Sequence, residues 1–425
     1  MLVYVVTKDK QPLMPCTPVI ARLLLKQERV KVKRRKPFTI QLLYETTKYK
    51  QDLELAVDTG SGKLATAVRT EQDEIVYLSE VAVRNDITGK MTERRTKRRS
   101  RRHRKTRYRK PRFDNRRNLR RKDRFSPTMQ SKIHSHVKEI EYIKSILPIT
   151  RIILETGQFN PHRMKNPALA NPNIRHWGYQ KGPNYGYENT RAMVLDRDNH
   201  QCQYCHGKRK DRHLEVHHIV FRSQGGSDDA KNLITLCHTC HQALHKGKIH
   251  LDLEGMEKGT LKYATQMNSI RKQLLRRYPE AIETYGYITK ANRLAMDLPK
   301  EHYIDACVIA TEGRPFTINS LLYRKKCVSA GDFQQYHGKR SEIRQATGKI
   351  MGFRKYDKVR YFGKYYFIKG RMSTGYAVLM DINGDTVKFS DMPWGFKTPK
   401  LERMERIQAR STWMVMSEEV TPNIV

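Results

Sequence analysis

No apolar run in the 425 residues approaches the roughly 18 that a membrane span requires. The opening Met-Leu-Val-Tyr-Val-Val lacks a basic lead and a cleavage site, so a soluble, intracellular protein is expected. Acidic residues are scarce: 43 Asp+Glu face 83 Lys+Arg, a net charge of +40, and such an excess needs a polyanionic partner. A paired complement of cysteines is missing as well. Of the seven, four form two CxxC pairs, Cys202/Cys205 and Cys237/Cys240, which argues for metal in a reducing compartment rather than for disulfides. Cys16, Cys307 and Cys327 are scattered singly and read as packing residues. No internal repeat is visible, and the length suits two or three compact domains.

Near the start, Thr17 can cap a helix that begins with Pro18 and carries Ile20, Leu23 and Leu24 on one face, within a short basic α/β module. The stretch LELAVDTGSGKLATAV then gives an apolar strand, an acid at its end, a glycine turn and a second strand; EIVYLSEVAVR supplies a third. After Met91 more than half of the residues up to Arg124 are Arg or Lys. No proline interrupts this run before Pro111, and arginine is a good helix former, so residues 92–110 read as a helix that is basic all round. A disordered basic tail is the commoner fate of such a run. Here it sits between a strand-rich segment and the amphipathic KIHSHVKEIEYIKSIL, which favours an ordered helix whose self-repulsion bound phosphates would offset.

The stretch PITRIILETGQF is a further apolar strand, ending in Glu155, and a Gly/Pro/Asn/Tyr-rich connector leads from it to the cysteine–histidine region. From about residue 256 the chain reads as helical, including PKEHYIDACVIAT. The last hundred residues carry Gly-bounded strands such as KVRYFGKYYFIKG, GYAVLMDI and DTVKF, the pattern of a small β-barrel-like domain.

Two CxxC pairs supply four thiolates, the number and softness that a closed tetrahedral zinc site takes, and zinc would hold together a domain of about 60 residues with a thin core. Between the pairs, EVHHIV puts His217 and His218 on a strand, where neighbouring side chains point to opposite faces. One can bind metal while the other stays free. The strand, a GGS loop, Asn232 before LITLC and a histidine directly after the second CxxC resemble the HNH nucleases. That resemblance implies a ββα fold holding one divalent ion, with His218 as general base, His217 and His241 as ligands, His245 as a substitute for His241, and Asn232 orienting the catalytic loop. His206, His213 and His238 read as surface residues.

Asp58 and Glu155 both end apolar strands, and His302 and Asp305 lie three apart on an expected helix, hence on one face. Three carboxylates brought together would need cations to neutralise them, and two Mg2+ ions would serve phosphodiester hydrolysis. The pieces AVDTGSG, IILETGQF and EHYIDACVIA resemble the RuvC-type nuclease of the RNase H-like fold. The resemblance carries Asp58, Glu155 and Asp305 over as Mg2+ ligands and His302 as the group handling the attacking water.

A RuvC sequence split by an arginine-rich helix and an HNH segment, with QPLMP near the start and WGYQKGPNYG before the HNH, resembles the IscB proteins, short relatives of the type II CRISPR effector nucleases. Two departures stand out. Thr59 follows Asp58 where proline is usual, and His217 stands where the large effectors carry an aspartate. The implied fold is multidomain α/β: an N-terminal module (1–50), RuvC part I (51–90), an arginine-rich bridge helix (91–125), RuvC part II (126–170), a linker (171–190), the HNH domain with its zinc (191–255), RuvC part III (256–325) and a small β-rich C-terminal domain (326–425). The implied activity is RNA-guided cleavage of double-stranded DNA beside a short adjacent motif, with HNH cutting the guide-paired strand and RuvC the displaced one. The bridge helix, through Arg94, Arg95, Arg98, Arg99, Arg101, Arg102, Arg104, Arg107 and Arg109, would grip a structured guide RNA. Two Mg2+ ions in RuvC, one in HNH and a structural Zn2+ complete the set, in a monomeric, cytoplasmic prokaryotic ribonucleoprotein. An unguided HNH/RuvC endonuclease and a non-catalytic RNA-binding scaffold are the competing readings.

Overall fold

A computed structural model describes residues 2–47, 49–104, 125–165, 167–178, 184–221, 226, 228–251, 261–329, 349–391 and 396–420, without the side chains of 101–104, 165, 167–168 and 176–177. The chain forms two compact units, Met1–Gly157 with Ser269–Val425, and Gln158–Asn268. None of the described helices is long and apolar enough to cross a membrane.

In the first unit, β1 (Tyr4–Val6), β2 (Val30–Arg35) and β3 (Phe38–Leu42) form a sheet in the order β1-β3-β2, with the helix Pro18–Lys26 alongside. Thr17 caps that helix as expected, its hydroxyl accepting from the Ile20 amide at 3.5 Å. The buried face differs from expectation. Ala21, Leu24 and Leu25 pack on Val3, Val5 and Ile40, whereas Ile20 and Leu23 are exposed. Positions 21, 24 and 25 form an i, i+3, i+4 stripe, and the start at Pro18 sets its phase.

Next come β4 (Glu54–Asp58), β5 (Lys63–Arg69) and β6 (Glu74–Ala82), an antiparallel meander, then the basic helix Ile87–Arg104 and the helix Pro127–Lys144. The basic helix starts five residues earlier than its charge run, with Asp86–Lys90 and Glu93–Lys97 pairs at i, i+4 spacing supporting its first turns. Arg94, Arg95, Arg98 and Arg99 are exposed on it. The side chains of Arg101, Arg102 and Arg104, and all of Arg107 and Arg109, lie outside the described residues. Strand β7 (Arg151–Thr156) runs parallel to β4. After β8 (Leu214–His218) and β9 (Leu233–Cys237) of the second unit, β10 (Ile282–Tyr285) lies parallel to β7. The helix His302–Thr311, β11 (Thr317–Ile318) and β12 (Leu322–Cys327) follow, both strands parallel to β6.

Period-2 alternation divides the central sheet into two faces. Ala56, Leu78 and Ile153 pack against Ile304, Ala306, Cys307 and Val308 of the helix His302–Thr311. On the other face, Tyr77 and Ser79 donate to Glu139 of the helix Pro127–Lys144 at 2.9 and 2.8 Å. The Lys325 ammonium reaches both Glu139 oxygens, at 2.7 and 2.9 Å, in a fully buried ion pair.

The C-terminal part of this unit contains β13 (Lys358–Tyr361), β14 (Lys364–Arg371), β15 (Ala377–Met380) and β16 (Glu405–Gln408), in the order β15-β14-β13-β16, around Val359, Tyr361, Ile368 and Leu379. The DTVKF segment is not a strand; it makes one isolated bridge, Thr386 to Met380. The last strand, β17 (Trp413–Glu418), pairs antiparallel with β12 instead of joining the small sheet, so the central sheet reads β10-β7-β4-β5-β6-β12-β17.

In the second unit, Asn189 caps the helix Thr190–Arg197 by accepting from the Ala192 amide at 2.9 Å. β8 and β9 pair antiparallel and lead into the helix His238–His245, a ββα arrangement. The expected linker is partly helical: Asn171 accepts from the Asn173 amide at 2.9 Å and Pro172 opens the helix Pro172–Gly178.

Candidate functional sites

On β8, His217 and His218 point to opposite faces, as the pleat requires. His217 is 4% exposed and its ring lies 4.9 Å from that of His241 and 5.2 Å from that of His245. The three offer donor atoms within 4.8 Å of one another, so the geometry admits His241 and His245 alike as partners of His217. Burial, and then the neighbouring His241 and His245, push the His217 imidazole down to about 4, keeping it neutral and able to coordinate. On the other face, His218 Nε2 contacts Asp228 Oδ1 at 2.8 Å. Asn232 straps the loop between the strands: its Oδ1 accepts from the Val220 amide at 2.9 Å and its Nδ2 donates to the Val220 carbonyl at 3.0 Å. Gly226 sits in the same loop, where an added Cβ would overlap the Val220 carbonyl and lie 2.9 Å from Asn232 Nδ2.

The sequence reading missed Glu215. It shares the His217 face two residues earlier on β8, hydrogen-bonds His241 Nδ1, and so turns His241 Nε2 towards His245, 3.2 Å away. The period-2 pattern places Glu215 and His217 on one face; nothing local places His241 beside them.

Cys202, Cys205, Cys237 and Cys240 are all buried, and their sulfurs lie within 4.8 Å of one another. Cys205 and Cys237 Sγ are 3.9 Å apart, too far for a disulfide and near the ~3.8 Å that tetrahedral zinc–thiolate bonds impose. Burial raises the Cys205 thiol, but hydrogen bonds from the Arg209 backbone and the sister sulfurs outweigh it and bring it to about 7. The cluster can hold zinc, and it ties the segment around residues 202–205 to the start of the helix His238–His245.

In the first unit, Asp58 and Glu155 are register partners on β4 and β7, both on the face that carries Ala56 and Ile153. The helix His302–Thr311 crosses that face, so Asp58, His302 and Asp305 offer donors within 4.8 Å of one another. His302 Nδ1 contacts Asp58 Oδ2 at 2.8 Å; Lys300 and Arg293 flank Asp305, the latter at 3.0 Å. Glu155 accepts from the Thr289 hydroxyl, and the Gly286 position closes over its carboxylate. Burial, then the Asp58 charge, raise Glu155 to about 7, while burial raises Asp58 against the His302 hydrogen bond. The Asp58 hydrogen bond raises His302 in turn. Buried carboxylates that repel one another are groups a cation would neutralise; at Asp305 and Asp58 it would compete with Lys300, Arg293 and His302 for the oxygens. Gly60 keeps the turn after Asp58 tight, since a Cβ there would overlap the Lys63 carbonyl.

The family model of RRXRR proteins matches residues 3–182, and that of HNH endonucleases matches residues 202–247. Arg98 to Arg102 reads RRSRR, in keeping with the first description. Anaredoxin of Nostoc sp. is 34% identical over 74 residues, 17% of this chain and 93% of that protein. The type IV methyl-directed restriction enzyme EcoKMcrA of Escherichia coli is 35% identical over 66 residues, 14% of this chain and 24% of that enzyme. Among solved structures, Streptococcus thermophilus Cas9 in complex with AGGA PAM is similar with a TM-score of 0.32 at 12% identity, covering 57% of this chain and 32% of that one. This chain thus spans about a third of the length of that structure. With both family models matched in one chain, the basic segment first and the histidine–cysteine segment after it, the protein is IscB-like and carries an HNH endonuclease domain.

Proposed function

We propose that the protein is an RNA-guided DNA endonuclease in which the HNH unit cuts the guide-paired strand and the central-sheet site cuts the displaced strand. The observation that carries this reading is the meeting of Asp58, Glu155, His302 and Asp305, from three distant segments, on one face of one sheet. The sheet supports it. From β6 through β5, β4 and β7 to β10 the strands stand in the order 3-2-1-4-5 with the second antiparallel, the arrangement of an RNase H-like core.

Divalent cations held at Asp58, Glu155 and Asp305, and at His217 with His241 or His245, would polarise the scissile phosphate. The protein's own groups do the rest. His218, oriented by Asp228, takes a proton from the attacking water on the guide-paired strand. Asn232 fixes the loop that sets that distance. His302, held through Nδ1 by Asp58, presents Nε2 to the water attacking the displaced strand. The exposed Arg94, Arg95, Arg98 and Arg99 repel one another at helical spacing until a phosphate backbone lies along them, which suits a guide RNA. The small C-terminal sheet would be placed to read the duplex motif beside the target.

Strand-specific end labels on a guide-matched duplex test this. His218→Ala should leave only the displaced strand cut, and Asp58→Ala only the guide-paired strand. Equal loss of both cuts in either variant would contradict the division of labour.

A further inference from the structure

The ββα unit carries a second set of metal-type donors that the nuclease reading leaves without a task. His213, Glu215 and His238 offer a carboxylate and two imidazoles within 4.8 Å of one another. His238 Nδ1 lies 3.0 Å and His213 Nδ1 3.7 Å from Glu215 Oε1, and the two rings are 5.6 Å apart. The backbone builds this placement. The His238 amide donates to the His213 carbonyl at 2.8 Å, extending the β8–β9 pairing by one step. Asp211 accepts from the His213 amide at 3.1 Å and from the Thr239 amide at 2.8 Å, fixing the backbone at His213 and next to His238 at once. Their side chains are 69% and 47% exposed, open to ions in solution.

We propose that His213, Glu215 and His238 bind a borderline divalent transition-metal ion of the Zn2+ or Co2+ class, and that the bound ion regulates the HNH site. Two imidazoles and one carboxylate favour such an ion over Mg2+, and three protein ligands leave positions for water. The link to the HNH site is Glu215. Its other oxygen, Oε2, holds His241 Nδ1, so a cation on Glu215 withdraws negative charge from His241 and loosens its orientation. The regulatory half rests on the nuclease reading; the binding half does not.

The test uses full-length, zinc-loaded protein carrying His217→Ala, His245→Ala and Asp58→Ala, which silence the HNH histidine group and the central-sheet cation site. Co2+ titration should show one equivalent bound by its d–d absorption, without a thiolate-to-cobalt charge-transfer band. Adding His213→Ala and His238→Ala should remove that equivalent; its retention overturns the site. In otherwise native protein at fixed Mg2+, added Zn2+ should slow the HNH-strand cut about tenfold or more. The His213→Ala, His238→Ala protein should escape that slowing. Equal slowing of both proteins overturns the coupling. Absence of any HNH-strand cut before Zn2+ is added counts against the nuclease reading instead, since the Co2+ titration does not depend on activity.

Discussion

Asp58 and Glu155 face each other across the parallel pair β4 and β7, although the whole arginine-rich segment lies between them in the chain. Parallel register puts the two acids level, and alternation puts both on the side crossed by Asp305. Gly286 bounds this group: a Cβ there would stand 3.1 Å from Glu155 Oε1. Gly286→Ala should therefore displace the carboxylate by a few tenths of an ångström and slow the displaced-strand cut by roughly tenfold to a hundredfold. The guide-paired cut should be unaffected, and strand-resolved rates measure both.

A similar constraint operates in the HNH unit. Gly226→Ala must push the loop off the Val220 carbonyl and the Asn232 amide, breaking the strap beneath His218. We expect loss of the guide-paired cut with zinc content unchanged, measured by strand-resolved cleavage alongside elemental analysis. Retained cleavage would show that the strap does not position the histidine.

Zinc binding and folding of this unit are expected to be one event. Removing one of four thiolates by Cys237→Ser should lose zinc and unfold the ββα unit, since the four cysteines are themselves part of its buried cluster with Ile234, Leu236 and Ile249. Elemental analysis and protease sensitivity of residues 202–247 report the outcome. Full zinc content in the variant would contradict a four-cysteine site.

Deep in the first unit, Lys325 and Glu139 form an ion pair with both side chains buried. Glu139→Gln leaves the ammonium without its counter-charge and should cost about 3–5 kcal/mol. Lys325→Met together with Glu139→Gln should recover most of that loss. Thermal melts of the single and double variants check it; a double variant no more stable than the single would mean that the pair's charge is not what matters.

The sequence carries much of this architecture because its signals are local. Strand ends at Asp58 and Glu155, the Thr17 cap with Pro18, the HH pair on a strand and the CxxC spacing each depend on a few neighbouring residues. What it hides is long-range pairing. Nothing within β17 says that it will leave the small sheet for β12, because a strand's composition does not name its partner. DTVKF alternates like a strand but forms an isolated bridge to Met380 and a Val387-to-Leu379 backbone bond rather than a ladder. Glu215 carries no local signal of its role, because it is the helix His238–His245 that puts His238 and His241 at its two oxygens.

The most direct test of the central claim is to express the protein with its native flanking DNA, wash it at high salt and sequence the RNA that stays bound. The account predicts one structured species with a defined boundary, released when Arg94, Arg95, Arg98 and Arg99 are replaced by alanine. A heterogeneous smear, or no RNA at all, would contradict guided cleavage and reduce the basic helix to a nonspecific phosphate binder.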